Sequence, residues 1–377
     1  MSSQPPLRVG IVGANPDYGW GSGVHCRVLQ RLPGFALQAV CTTREDSARA
    51  AAERFGAALH FTDALDLARH PEIDLVSICV KAPFHHDIAE AALRAGKHVY
   101  CEWPLALTAP QARDLAALSA TAGTKAMIGL HLRGTPAMRA AARLIAEGYV
   151  GTVFSVTLTA RLFGPMMRAM AMRAGGTTLL SIYGGHLIDA LDHYFGGIAT
   201  MACRSAIHLP PVDETGSPID RDAADHLQFH GSLQNGAMFN VDLAGVSMTG
   251  MGCEWRVDGH EGTLILSTRD ASLPAIEALA LSGGRHGAPI TPIAITPELE
   301  CAVIPATPDR YPAYPGSSAS REALSAIGNL YTELREAIRQ DGPVSPDFAR
   351  AAEIQNLLAR MEDMPPTPAQ HAAGVAI

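Results

Sequence analysis

Apolar positions along this 377-residue chain follow two different periods, one in each half. In the first half, short continuous apolar runs alternate with segments of helical spacing. Val9, Ile11 and Val12 form the first run; it stops in the turn Gly13-Ala14-Asn15-Pro16-Asp17-Tyr18-Gly19-Trp20-Gly21, and a helix is expected over 24–32 before Pro33-Gly34. A strand is then expected over 36–41, an Ala-rich helix over 46–55 with Gly56 as its stop, a strand over 73–80 and a helix over 87–94 closed by Gly96. A strand over 98–101, a helix opened by Thr108 with Pro110 in its first turn, and a strand over 126–130 complete the series. Strands joined to helices by short connections predict a parallel sheet covered on both faces, with ligands beyond the C-terminal strand ends. That rule places 80–86, 102–104 and 131–133 along one cleft.

Beyond Gly148 the period becomes two. Phe154, Val156, Leu158, Ala160 and Leu162 alternate with Ser155, Thr157, Thr159 and Arg161, which predicts a sheet with one wet face. Segments 225–233 and 237–243 flank Asn235-Gly236, a strong hairpin signal, and 255–257 and 263–266 add short strands. Residues 289–316 are Pro-rich and aperiodic, as in a long loop, and 321–339 and 348–361 read as helices separated by Gly342-Pro343. The fold class is therefore α/β. A Rossmann-type dinucleotide-binding domain is expected over 1–131. An α+β domain with an open, mostly antiparallel sheet is expected over 132–377, serving substrate binding and oligomerisation and closed by helices within 321–361.

Composition narrows the function. The formal net charge is −8 with no Lys/Arg block, which argues against direct nucleic-acid binding. Apolar stretches are too short for a membrane span, and Met-Ser-Ser-Gln-Pro-Pro at the N-terminus has neither a basic nor an apolar region, so a cytoplasmic protein is expected. Seven cysteines at 26, 41, 79, 101, 203, 253 and 301 stand singly, as buried hydrophobes rather than disulfides or metal ligands; no metal is expected. The turn after the first strand suits a dinucleotide pyrophosphate, with Gly13, Asn15, Tyr18, Gly19 and Trp20 as contacts. It departs from G-x-G-x-x-G, because Asn15 takes the second position and the third moves to Gly19 or Gly21. At the second strand's end, Thr42, Thr43 and Arg44 offer no acid for a ribose 2′-hydroxyl, whereas the Arg suits a 2′-phosphate, so NADP is expected in preference to NAD.

Several motifs together resemble the glucose-fructose oxidoreductase and inositol dehydrogenase (Gfo/Idh/MocA) family: His85 with Ile88 and Ala89, Ala-Gly-Lys-His-Val at 95–99, Cys101-Glu102-x-Pro104-Leu105, Arg133, Gly148-Tyr149-Val150-Gly151, Gly184-x-His186-x-x-Asp189, and Gly259-x-x-Gly262-Thr263-Leu264. The resemblance implies an NAD(P)-dependent oxidoreductase that transfers hydride to or from a CH–OH carbon of a sugar, polyol or related carbonyl compound. It implies Val80, Lys81, His85, Glu102, Trp103 and Pro104 along the cofactor, and Trp103, His131, Arg133, Tyr183, His186 and Asp189 about the substrate. The Gly13-x-Asn15-x-x-x-Gly19-Trp20 turn, Glu102-Trp103 and the 225–236 segment are similar to the branch of the fungal galactose-regulon repressor.

Two departures bear on chemistry. Where family enzymes carry a Lys and an Asp, this chain has Trp103 and Ile182; an indole donates one hydrogen bond but transfers no proton, and an alkyl side chain does neither. His186 remains as the expected acid/base, with Tyr183, Tyr100, His131 or Lys81 as helpers. The alternative is a non-catalytic dinucleotide-binding sensor or transcriptional regulator. The alternate positions His226, Gln228, His230, Ser232 and Gln234 make a wet sheet face or a subunit contact, and a homodimer or homotetramer through that sheet is expected.

Overall fold

The computed structural model describes residues 4–163, 170–213, 215–247, 249, 252–269, 277–305, 312–314 and 317–362. Contacts divide the chain into two units, one of Met1–Ala140, Pro274–Ala278 and Ile295–Asn356, the other of Ala141–Leu273, Leu279–Ala294 and Leu357–Ile377.

The first unit is built on a parallel sheet of β1 (Leu7–Val12), β2 (Phe35–Cys41), β3 (Leu59–Phe61), β4 (Leu75–Ile78), β5 (His98–Glu102) and β6 (Ala126–Gly129), in the order β3-β2-β1-β4-β5-β6. Every residue of β4 and β6 is buried, which accounts for the unbroken apolar runs. A π-helical turn, Gly21–Cys26, runs into α1 (Arg27–Leu29), three residues earlier than the period suggested. The crossovers are α2 (Glu45–Phe55), α3 (Ala64–Arg69), α4 (His85–Arg94) and α5 (Ala109–Thr121). Gly56 ends α2 in the left-handed region, and Thr108 and Gln111 form the capping box that starts α5. The three-residue β3 and six-residue α3 are too short to show a period.

One helix departs from expectation. α8 (Arg321–Gln340) belongs to the first unit rather than to the second: Leu324, Ile327, Leu330, Tyr331 and Leu334 share a core with Val9, Ile11, Val28 and Phe35. Its apolar stripe shows that one face must be covered, but not by which sheet.

The second unit carries eight strands: β7 (Val153–Phe163), β8 (Ile198–Ala206), β9 (His226–Leu233), β10 (Met238–Ser247), β11 (Gly252–Gly259), β12 (Gly262–Thr268), β13 (Ala280–Arg285) and β14 (Thr291–Pro292). Their order is β14-β13-β12-β11-β7-β10-β9-β8, and all pairs are antiparallel except β7 with β10. Leu158, Phe229, Val241 and Trp255 form its buried side, and Phe195 stacks on Trp255 with ring centroids 5.8 Å apart. β8 escaped sequence reading because it lies at the edge of the sheet with none of its residues fully buried, so its apolar residues do not alternate. The Pro-rich stretch contains β14 and a 3₁₀ turn at Pro297–Leu299, while 306–311 and 315–316 lie outside the described residues. α6 (Pro136–Ala146) and α9 (Phe348–Glu362) each cross from one unit's residues into the other's, and α7 (Gly185–Phe195) lies within the second. Among the described residues no helix is long and apolar enough to cross a membrane.

Candidate functional site

The strand order of the first unit reverses between β1 and β4, the switch point at which such sheets bind ligands. There two glycines stand where any side chain would run into backbone. Gly13 has φ +99°, and a Cβ on it would lie 2.5 Å from the Cys79 carbonyl oxygen; a Cβ on Gly21 would lie 2.5 Å from the Gly13 carbonyl oxygen. Gly21 therefore takes the third-glycine role in helix packing. Gly19, at φ +124° with no neighbour at its Cβ position, is required by conformation alone. Asn15 Oδ1 accepts from the Asp17 amide at 2.9 Å, and the Asn15 carbonyl accepts from the Ser22 hydroxyl. Tyr18 is exposed, and the Trp20 ring centroid lies 6.4 Å from that of His25 and 6.1 Å from that of His131.

Beside this turn, the end of β2 leads into an open groove lined by Pro16, Asp17, Arg44, Asp46, Ser47 and Arg54 among others. Thr42 Oγ1 donates to the Arg44 carbonyl at 3.1 Å, and Thr43 and Arg44 are exposed.

The ends of β4 and β5 are clamped by one imidazole. His85 lies 2.8 Å through Nε2 from the Val80 carbonyl oxygen and 2.7 Å through Nδ1 from that of Pro104, which follows the cis Trp103–Pro104 bond. Burial pushes its pKa down, against the pull of the two carbonyls. Trp103 is buried and Lys81 exposed. His131 and Arg133 are buried in a 3₁₀ turn, where burial lowers the His131 pKa against the field of Glu102, and Arg133 donates to Ser345 Oγ at 2.9 Å.

Sequence reading missed the polar cluster beneath these ends. The wholly buried His25 bonds Glu102 Oε1 through Nε2 at 3.0 Å and meets Tyr331 Oη through Nδ1 at 2.8 Å; Tyr331 Oη in turn lies 2.7 Å from Ser77 Oγ. Gly129 makes room for it, since a Cβ there would lie 2.7 Å from Glu102 Oε1. The signal was faint: single polar residues at otherwise apolar positions of a helix start, a strand and α8.

The remaining candidates lie in the second unit. A π-helical turn, Leu179–Gly184, is capped reciprocally by Thr178 and Ser181 and runs into α7. Ile182 and Tyr183 are half-buried on the turn, while His186 and Asp189 are buried in α7, 4% and 0% exposed. On the sheet, Gln228 and His230 are exposed, and His226 bonds Asp242 at 2.9 Å, which also pairs with Arg161. Among the described residues no cluster has the makings of a metal site.

Comparisons with known proteins find two family matches along the chain. Residues 7–130 match the model of the GFO_IDH_MocA oxidoreductase family with NAD-binding Rossmann fold, and residues 136–268 that of the Gal80p C-terminal domain. The chain is 26% identical over 255 residues to the galactose/lactose metabolism regulatory protein GAL80 of Saccharomyces cerevisiae, covering 61% of this chain but only 59% of the regulator. It is 28% identical over 261 residues to the D-apiose dehydrogenase of Paraburkholderia graminis, covering 68% and 67%. The structure of an NAD-binding oxidoreductase from Klebsiella pneumoniae superposes with a TM-score of 0.78 at 23% identity, covering 94% of this chain and 95% of that one. The first domain of this chain, residues 7–130, belongs to the GFO_IDH_MocA oxidoreductase family with NAD-binding Rossmann fold, and it is followed by a domain of the Gal80p C-terminal kind.

Proposed function

We propose that this chain is an NAD(P)-dependent oxidoreductase that transfers hydride to or from a CH–OH carbon of a sugar, polyol or related carbonyl compound. The observation that carries the reading is the glycine-packed turn between β1 and the Gly21–Cys26 helix start, at the switch point of a 3-2-1-4-5-6 sheet. Gly13, Asn15, Tyr18, Gly19 and Trp20 would hold the pyrophosphate, and Val80, Lys81, His85, Glu102, Trp103 and Pro104 the nicotinamide half. When bound, the nicotinamide supplies the hydride acceptor or donor. NADP is preferred on the strength of Arg44, which borders the groove at the end of β2 where Thr42 and Thr43 leave the ribose position without an acid. His186, with Tyr183, engages the reacting oxygen; Asp189, His131, Arg133 and Trp103 shape the substrate's surroundings. The polar face of the second sheet joins two or four copies, and seven free cysteines fit a reducing cytoplasm.

A second reading is favoured by one observation: a Gal80p-type second domain accompanies Trp103 and Ile182 at positions where the resemblance leads one to expect proton-transfer groups. In that reading the pocket binds dinucleotide and a small ligand without turnover. Absorbance of the protein loaded with NADP or NADPH, followed as sugars, polyols and keto-sugars are added singly, separates the two. A change in the reduced-nicotinamide band that is lost in His186→Ala supports the enzyme. Tight binding with a silent band across the panel supports the regulator, and no binding of NADP or NAD removes both. Light scattering tests assembly, and a monomer would overturn the sheet-mediated oligomer.

A further inference from the structure

We propose that the His25–Glu102 pair reads the charge of the nicotinamide ring and so sets the preference of the first unit for oxidised over reduced dinucleotide. The inference rests on the dinucleotide reading above and holds whether or not turnover follows. In a doubly wound sheet the adenosine ribose is read at the end of β2, which leaves the β4–β6 half to the nicotinamide. Glu102 is the last residue of β5, in that half. Its side chain is 14% exposed, whereas that of His25 is wholly buried, so the carboxylate is the accessible end of the pair.

The chain behind Glu102 is satisfied in either protonation state of His25. As imidazolium, His25 donates from Nε2 to Glu102 and from Nδ1 to Tyr331, which donates on to Ser77. As neutral imidazole, it keeps the Nε2 bond, while Ser77 donates to Tyr331 and Tyr331 to Nδ1. Losing the proton thus costs no hydrogen bond. The other groups facing His25 are Tyr100 on β5, with its ring at 5.3 Å, Cys79 just beyond β4, and the Trp20 ring at 6.4 Å, itself 6.1 Å from the His131 ring. Burial opposes charge on His25, but Cys79 and the Glu102 hydrogen bond outweigh it and raise its pKa to about 10.

The oxidised nicotinamide ring is cationic and the reduced ring neutral. With His25 charged, Glu102 is already neutralised and discriminates weakly. With His25 neutral, the bare carboxylate favours the oxidised ring, and by linkage binding of the oxidised form draws the proton off His25.

Titration of the full chain with NADP and NADPH, followed by tryptophan fluorescence, tests this. The ratio of the reduced-form Kd to the oxidised-form Kd is expected to rise about tenfold between about pH 7 and about pH 10. Glu102→Gln should lower the ratio and flatten its pH dependence, while His25→Gln should raise it about tenfold at neutral pH. These opposite signs distinguish charge reading from a structural role, which would weaken both forms alike. If His25→Gln does not fold, Glu102→Gln and the wild-type pH series still decide. A ratio that ignores pH and is unchanged in Glu102→Gln overturns the proposal; failure to bind either form overturns the dinucleotide reading instead.

Discussion

The two π-helical turns are held by opposite means. Gly21–Cys26 is buried throughout and has no side-chain cap; backbone contact fixes it, Gly21 against Gly13 and Gly13 against Cys79. Leu179–Gly184 is half open, and the Thr178–Ser181 capping box fixes it. Such turns are rare within helices and gather at functional sites, and here each precedes a buried histidine or carries one, His186 and His25 respectively. The comparison teaches that the first turn has almost no freedom to vary, whereas the second is secured by two replaceable hydroxyls.

The sharpest way to break the contrast is Gly21→Ala. Its methyl meets backbone rather than a flexible side chain, so we expect a loss of about 3 kcal/mol and of dinucleotide binding, read by urea unfolding and fluorescence titration. An alanine that folds and binds normally would show that the turn can relax. Next comes pH. The folded-state pKa of His25 is raised, so its contribution is fully present below the ordinary histidine value and is lost as pH rises through about 10. Urea midpoints measured across this range should fall more steeply for wild type than for Glu102→Gln, and parallel curves would refute the assignment. Tyr331→Phe removes the hydroxyl between His25 and Ser77 and should cost about 2 kcal/mol. A neutral result would mean that water replaces it. Thr178→Ala should cost only about 1 kcal/mol and leave dinucleotide affinity unchanged, because the capped turn belongs to the other unit. A larger loss in Thr178→Ala than in Gly21→Ala would invert the comparison.

Most elements of the parallel sheet were legible in the sequence because a strand buried on both faces leaves a continuous apolar run, as 75–78 and 126–129 do. The alternation of β7 and the Asn235-Gly236 hairpin were legible for the complementary reason, since one face of that sheet is wet. The edge strand β8 was not, because it mixes half-buried with exposed positions and buries no residue fully. Candidate residues next to a motif, such as Gly13, His85 and Glu102, could be singled out. His25 and Ser77 could not, since a buried histidine and a buried serine look in sequence like interruptions of an apolar pattern.

By itself the sequence determined periodicity, turn chemistry and the separation into an α/β and a sheet-rich half, because these depend on neighbours within a few residues. Tertiary structure alone decided that α8 joins the first unit and that Tyr331, more than 200 residues from Glu102, is linked to it through His25. An amphipathic stripe demands a partner without naming one, and a buried polar group is defined by the atoms that satisfy it, which only the folded chain brings together.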